Sequence, residues 1–432
     1  MEQPGHLLSS EEWNTVVSRR LGKEIDFELL SVNYGVKSEE LDGFLGDHDL
    51  VQVTVFVCGQ EKAQELKFFL KTLPRCDEYY TKFILSTDAF VKEIIVYCNV
   101  FELFKKHSLL LCDPEVTPWA PRCYFTRTDL LVLEDLAAEG FKLFNKREYM
   151  SYQFCELVIK LLADFHAASV ICEERESEAS GKVFKLNEEY PSINIEGEFV
   201  ETDGKSQLKH WFQAGIKAMF TLVSKLNMYG NNSEHFNKIS GTFKNKCELM
   251  FEFVKPSNVY KNVICHGDLW PNNLMFRFEA DGETPNEVRL LDFQLVRYAP
   301  PALDVMMFLH MVSSREFRRA HLEALLSLYY ERFNGALQSH SVTTIPWEEF
   351  RESCTYYAQA GRIMAPYFHH VYLMPAHLLV PVLGSKDSFE MFNKDRDELV
   401  LQCFEEDLSY RARLIEGLEE LIECFVLDLS TD

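Results

Sequence analysis

His266-Gly-Asp-Leu-Trp-Pro-Asn-Asn273, followed further on by Leu291-Asp-Phe-Gln294, is the stretch of sequence that decides how this chain reads. Moving a phosphoryl group requires an aligned hydroxyl and neutralised phosphate charge. Asp268 would accept the proton of an attacking hydroxyl or orient it, while Asn273, five residues on, and Asp292 would supply oxygen ligands suited to magnesium. Between them, Leu274 to Phe278 and Val288 to Leu291 read as short strands joined by the polar turn Glu279 to Asn286. That order puts the three side chains at one end of a hairpin. Singly, an Asp or Asn in a loop is more often a turn former than a ligand, so it is the ordered set that points to ATP- and magnesium-dependent transfer to a hydroxyl. His266 reads as support for the loop rather than as a proton carrier. Asn272 suits either a substrate contact or a turn hydrogen bond, and Trp270 and Pro271 shape the loop.

Working outward towards the amino terminus, Val51 to Val57 and Leu66 to Leu73 are strand candidates rich in β-branched and aromatic residues, separated by the polar turn Gly59 to Gln64. Phe90, Ile94, Tyr97, Phe101 and Phe104 recur at helical spacing behind a Thr87 or Asp88 cap, and Leu130 to Leu133 is a short buried strand. Lys71 interrupts an apolar strand, where a charge needs a partner or an anion. Glu93 in the following helix can provide the partner, the arrangement in which a Lys holds the α- and β-phosphates and a helix Glu orients it. Lys67 is the rival for the Lys position. Asp42-Gly-Phe-Leu-Gly46 is the nearby Gly pair for a phosphate-covering loop, but it lacks the GxGxxG pattern, and no Walker A sequence offers another nucleotide site. Glu134 to Leu136, between the strand-rich and helical parts, would offer main-chain groups of Glu134 and Leu136 to adenine.

Ser9-Ser-Glu-Glu12 has capping-box spacing and opens the chain with a short helix. Past residue 135 the periodicity turns helical: Tyr149, Phe154, Leu157, Leu161 and Phe165 predict a helix ending near Ala167 to Ser169. The polar stretch from Glu173 to about Ser206 reads as a loop or mobile insertion, and Met228 to Ser233 as a second break. Helical spacing dominates from Asp304 to Phe333 and again towards Leu427. The fold class is therefore α+β, with a small antiparallel sheet over residues 1–135 and a larger helical part over 136–432.

Composition narrows the partners. Apolar residues are 47% and aromatics 13% of the 432 residues, which excludes a largely disordered chain. With 67 Asp and Glu against 44 Lys and Arg, the net charge of -23 argues against nucleic acid or an anionic membrane surface. ATP must then be held by local cations and a metal. Neither a cationic, apolar leader nor a membrane-length apolar run is present, and the twelve scattered Cys form no CxxC pair. A protein with reduced thiols in the cytoplasm is the expectation.

As an ordered series, Phe69 to Pro74, Phe90 to Tyr97, Leu131 to Leu136 with Gly140-Phe141, Leu161 to Ser169, His266 to Phe276, Asp292 to Arg297 and Pro301 to Asp304 resemble the ecdysteroid-kinase-like family. That family lies in the choline-kinase and aminoglycoside-phosphotransferase branch of the protein-kinase-like fold. The resemblance implies two lobes with ATP between them and the roles given above for Lys71, Glu93, Asp268, Asn273 and Asp292. It also implies that Asp304 anchors the catalytic loop and that His166 is a packed helix residue. Gln294 stands where protein kinases carry the Gly of DFG, which is usual in this family and tells against a DFG-type switch. The implied acceptor is a steroid-like alcohol such as an ecdysteroid, with detoxifying phosphorylation of plant or xenobiotic alcohols as the close rival. A choline or ethanolamine kinase fits less well, because no spacing assembles aromatic residues and carboxylates into a cage for a quaternary ammonium. A catalytically silent small-molecule-binding relative is the non-enzyme alternative, and the sequence leaves the oligomeric state open. Tyr367, Phe368, His369 and His370 could line a pocket, but packing within a helix is the preferred reading.

Overall fold

The computed structural model describes residues 7–22, 24–35, 47–74, 81, 84–85, 87–107, 118–199, 207–231, 233–383 and 385–429. Ser9 caps helix α1 (Ser10–Leu21): its hydroxyl accepts from Glu12 N while the Glu12 carboxylate accepts from Ser9 N, which is the capping box read from the sequence. α1 lays Trp13, Val16 and Val17 on a five-stranded antiparallel sheet of β1 (Phe27–Tyr34), β2 (Asp47–Val57), β3 (Gln64–Thr72), β4 (Cys123–Arg127) and β5 (Leu130–Glu134), in the order β1-β2-β3-β5-β4. In β2 every second residue, Val51, Val53, Val55 and Val57, turns to this core, as a half-buried strand demands. β2 and β3 pair antiparallel, with His48 opposite Lys71. The Asp42 to Gly46 stretch lies outside the described residues.

Helix α2 (Ala89–Ile95) runs through a π turn at Val96–Val100 into α3 (Phe101–Lys106), one rod whose Phe90, Tyr97, Phe101 and Phe104 are buried. Of the two expected caps, Thr87 supplies the hydroxyl, accepting from Ala89 N at 3.2 Å, while Asp88 adopts a left-handed backbone without a side-chain cap. In the larger lobe, β6 (Lys142–Leu143), β8 (Leu274–Phe278) and β9 (Pro285–Leu290) form a small sheet ordered β6-β8-β9, and β7 (Val263–Cys265) pairs with β10 (Arg297–Ala299).

The helix expected to end near Ser169 instead continues, as α4 (Tyr152–Ser180), to a left-handed Gly181. The Glu-rich run after it is therefore helix, not the start of a loop. Glu and Arg are good helix formers, and the run also makes internal contacts: Glu173 is buried and accepts from Lys185 Nζ, Leu186 N and Tyr298 OH. The chain then turns through α5 (Leu186–Glu189) and a 3-10 turn at Pro191–Asn194, so the expected loop is also structured in its middle.

Helices α6 (Gln207–Val223), α7 (Phe236–Glu248), α8 (Met250–Phe253), α9 (Pro301–Val312), α10 (Arg315–Ser339), α11 (Trp347–Tyr372), α12 (Ala376–Leu383), α13 (Lys386–Lys394), α14 (Asp397–Glu406) and α15 (Leu408–Leu421) complete the lobe. α9 is buried along its whole length and packs on α11, while α10 packs on α4. Tyr367, Phe368, His369 and His370 of α11 are all buried in this helical core. Among the described residues no helix is long and apolar enough to cross a membrane.

Candidate active site

The loop after β7 owes its shape to main-chain contacts with buried side chains. Gly267 sits at φ 81, and a Cβ there would run into the Leu295 carbonyl, so the position requires glycine. Asp304, in the first turn of α9, accepts from His266 N at 2.5 Å and from Gly267 N at 3.0 Å. Its carboxylate also meets His166 Nε2 at 3.2 Å, and His166 Nδ1 meets Tyr329 OH at 2.8 Å. Burial alone would raise the Asp304 pKa, but His166 and these N–H donors outweigh it and hold the group ionised. From the other side, Arg297 donates to Gly267 O at 2.8 Å and grips Glu196 through Nε and Nη2 at 2.7 and 3.1 Å.

His266 has a single proton arrangement that satisfies its neighbours. Nδ1 accepts from Asp268 N at 3.2 Å, so Nε2 carries the hydrogen that it donates to Leu291 O at 2.8 Å. Burial lowers its pKa, which keeps the ring neutral. The ring rests on Phe293 at 5.0 Å, and Phe293 in turn touches Tyr97, Phe101 and Phe165, tying the loop to the α2–α3 rod and to α4.

Asp268 is buried, and Asn273 Nδ2 donates both to its main-chain oxygen at 2.9 Å and to its Oδ2 at 2.8 Å. Tyr372 OH stands 3.5 Å from its other oxygen. Burial first, then the charges of Asp292 and Glu198, raise the Asp268 pKa to about 8, the direction that suits a base for an alcohol proton. Asp292 follows β9 with a left-handed backbone, φ 62, which is uncommon for a residue with a side chain. Lys71 Nζ lies 2.9 Å from Asp292 Oδ1 and 2.7 Å from Glu93 Oε2, whereas Lys67 is exposed. Burial works against the Lys71 charge, but Asp292 and Glu93 outweigh it and raise the pKa. At Asp292, likewise, Lys71 outweighs burial and lowers the carboxyl.

A cavity of about 240 Å3 lies between the lobes, lined by Lys71, Glu93, Glu134, Leu136, Asn273 and Asp292 among others. Lys71, Glu93, Glu134, Leu136, Asn273 and Asp292 thus share one cavity, which Asn272 lines as well; Asp268 stands outside its lining, joined to it through Asn273. His266 and Asp304 lie beneath as loop supports. The donor set fits a hard cation: Asn273 spends its amide nitrogen on Asp268, leaving its carbonyl oxygen, and Asp292 has a second carboxylate oxygen beyond the one on Lys71. Sequence reasoning assigned no part to Glu196, Glu198, Arg297 or Tyr372. The alternating acids of Ile195-Glu-Gly-Glu-Phe199 are the available signal, but they lie inside a polar stretch that reads as a loop.

A family model described as the ecdysteroid kinase-like family matches residues 41–342. Among solved structures, the chain is similar to an ethanolamine kinase of Plasmodium vivax, at 12% identity and TM-score 0.37, covering 94% of this chain and 86% of that one. It is similar to wild-type aminoglycoside 2'-phosphotransferase-IIIa in complex with GDP, at 9% identity and TM-score 0.36, covering 94% and 99%. A microcompartment-associated aminopropanol kinase aligns at 11% identity and TM-score 0.34, covering 93% and 98%. A search of curated protein sequences found no match.

Proposed function

The chain belongs to the ecdysteroid kinase-like family, and on that premise we propose that it moves the γ-phosphate of ATP, with magnesium, to a hydroxyl of an ecdysteroid or other steroid-like alcohol. The observation that carries the transfer reading is the bridge of Lys71 to both Glu93 and Asp292 in the wall of the cavity that Asn273 also lines. Lys71, oriented by Glu93, holds the α- and β-phosphates, and main-chain groups of Glu134 and Leu136 meet the adenine. Asn273 and Asp292 would hold magnesium, which would supply charge neutralisation on the phosphates. Asp268 takes the proton of the acceptor hydroxyl at a carboxylate oxygen as the hydroxyl oxygen attacks the γ-phosphorus and the bond to the bridging oxygen breaks to release ADP, and Asn273 fixes the carboxylate's orientation. His266 and Asp304 keep the loop in shape. The nucleotide lobe is taken as residues 1–135 and the helical acceptor lobe as 136–432. The free thiols of the described cysteines support a reducing, cytoplasmic setting.

Incubation with magnesium-ATP and a panel of ecdysteroids, plant alcohols, choline and ethanolamine, read by product mass, tests this. The expected result is one added phosphate on an ecdysteroid. Product from choline or ethanolamine alone overturns the acceptor class, and no product from any alcohol overturns the transfer itself.

A further inference from the structure

Glu198 has no part in the scheme above, yet it is a buried carboxylate that makes no ion pair among the described residues. It is 8% exposed, and one oxygen, Oε1, accepts from Tyr367 OH at 2.9 Å and Trp211 Nε1 at 3.2 Å. Among the described residues no further donor and no ion pair reaches its side chain. Arg297, the guanidinium close by, is committed to Glu196 and to Gly267 O. Oε2 therefore keeps its acceptor capacity, and it is not among the sealed side-chain atoms that lack a partner, so a donor can reach it.

The position of this oxygen relative to the chemistry follows from α11. Tyr367, which holds Glu198, and Tyr372, whose hydroxyl lies 3.5 Å from Asp268, both contact Phe368, each with ring centroids 5.1 Å apart. Glu198 and Asp268 are thus linked through a row of three contacting rings on one helix, Tyr367, Phe368 and Tyr372. Trp211, the indole that donates to Glu198, already carries a guanidinium over its ring. Arg396 lies 4.2 Å over Trp211, and Trp270 carries Lys146 at 5.8 Å and packs on Tyr372 at 4.0 Å. A neutral donor fits what is left.

We propose that Glu198 is a specificity-determining residue for the acceptor, accepting a hydrogen bond from a second hydroxyl remote from the one that is phosphorylated. The protein then prefers rigid diols and polyols to mono-alcohols of the same skeleton. This inference rests on the steroid-like-alcohol reading above and adds which feature of such an alcohol is recognised.

The test measures kcat and KM for a steroid polyol and for the analogues that each lack one hydroxyl, in the unmodified protein, Glu198→Gln and Tyr367→Phe. In the unmodified protein, one analogue that keeps the phosphorylated hydroxyl loses roughly 10- to 100-fold in kcat/KM, mainly through KM. In Glu198→Gln that preference largely disappears, and in Tyr367→Phe, which removes one of the two donors fixing Glu198, it shrinks. Should Glu198→Gln fail to fold, as read by its thermal melt, Tyr367→Phe carries the comparison. An undiminished preference in the folded variants overturns the inference while leaving the steroid reading intact. A preference for an amino-alcohol over the matching diol, lost in Glu198→Gln, overturns it in favour of a cation site. No turnover of any steroid by the unmodified protein overturns the acceptor class, and this inference with it.

Discussion

On the proposed nucleotide side of the cleft a buried cation, Lys71, lies between two carboxylates, whereas on the proposed acceptor side a buried carboxylate, Glu198, lies between two neutral donors. In the first arrangement every charge already has an opposite partner, with one carboxylate in excess. The second has acceptor capacity to spare. A nucleotide presents the same phosphates each time, so its cradle can be finished in advance. An acceptor is told apart from its relatives by which polar groups it brings, and an unfinished hydrogen bond is how a buried site reads them.

The largest effect should come from the residue between the two sides. Asp268→Asn is expected to lower turnover about 1000-fold while leaving the melting temperature nearly unchanged. Phosphorylated product measured by mass checks it, and full activity in the folded variant removes Asp268 from the chemistry. Next, Lys71→Met strands Glu93 and Asp292 without their cation and should cost about 3–5 kcal/mol in denaturant unfolding. Adding Glu93→Gln should recover part of that loss; a Lys71→Met protein as stable as its parent would erase the contrast drawn above. Gly267→Ala forces a side chain onto a left-handed backbone against the Leu295 carbonyl, for about 1–3 kcal/mol of lost stability.

The smallest effect is a slope with pH. Burial pushes Glu196 and Glu198 upward alike, but Arg297 overrides it at Glu196 and brings that carboxyl to about 2, while Glu198 stays raised at about 7. The Glu196 contribution is complete above its unfolded value and is lost as pH falls towards 2. Glu198 has the opposite sign: the folded state holds its proton more tightly, so stability declines as pH rises from the ordinary carboxylate range through 7. Asp268, also raised, slopes the same way, so the informative quantity is the difference between proteins. Glu198→Gln should lose stability less steeply than the parent between pH 5 and pH 8 in urea titrations; parallel slopes would mean that Glu198 does not titrate in that window.

The nucleotide side was the more legible in the sequence. Lys71 betrays itself as a charge in an apolar strand, Glu93 as an acid on a periodic helix, and the loop and hairpin bring Asp268, Asn273 and Asp292 in a fixed order. Their meeting across long stretches of chain could be inferred because each carries a local pattern. Glu198 carries none. Its partner Tyr367 lies 169 residues away on a helix that reads simply as core, and the link between Glu196 and Arg297 spans 101 residues. The extension of α4 to Ser180 was hidden for a related reason: a Glu-rich run looks solvated until Tyr298 and Leu186 are seen to satisfy Glu173.

The proton of His266 has a use of its own. Because Nδ1 faces the N–H of Asp268 and Nε2 faces the Leu291 carbonyl, the ring is confined to one tautomer for as long as the loop keeps its shape. Imidazole nitrogen chemical shifts differ sharply between tautomers. His266 is thus a resonance that reports loop geometry from within, readable in any inactive variant and in the absence of nucleotide or alcohol.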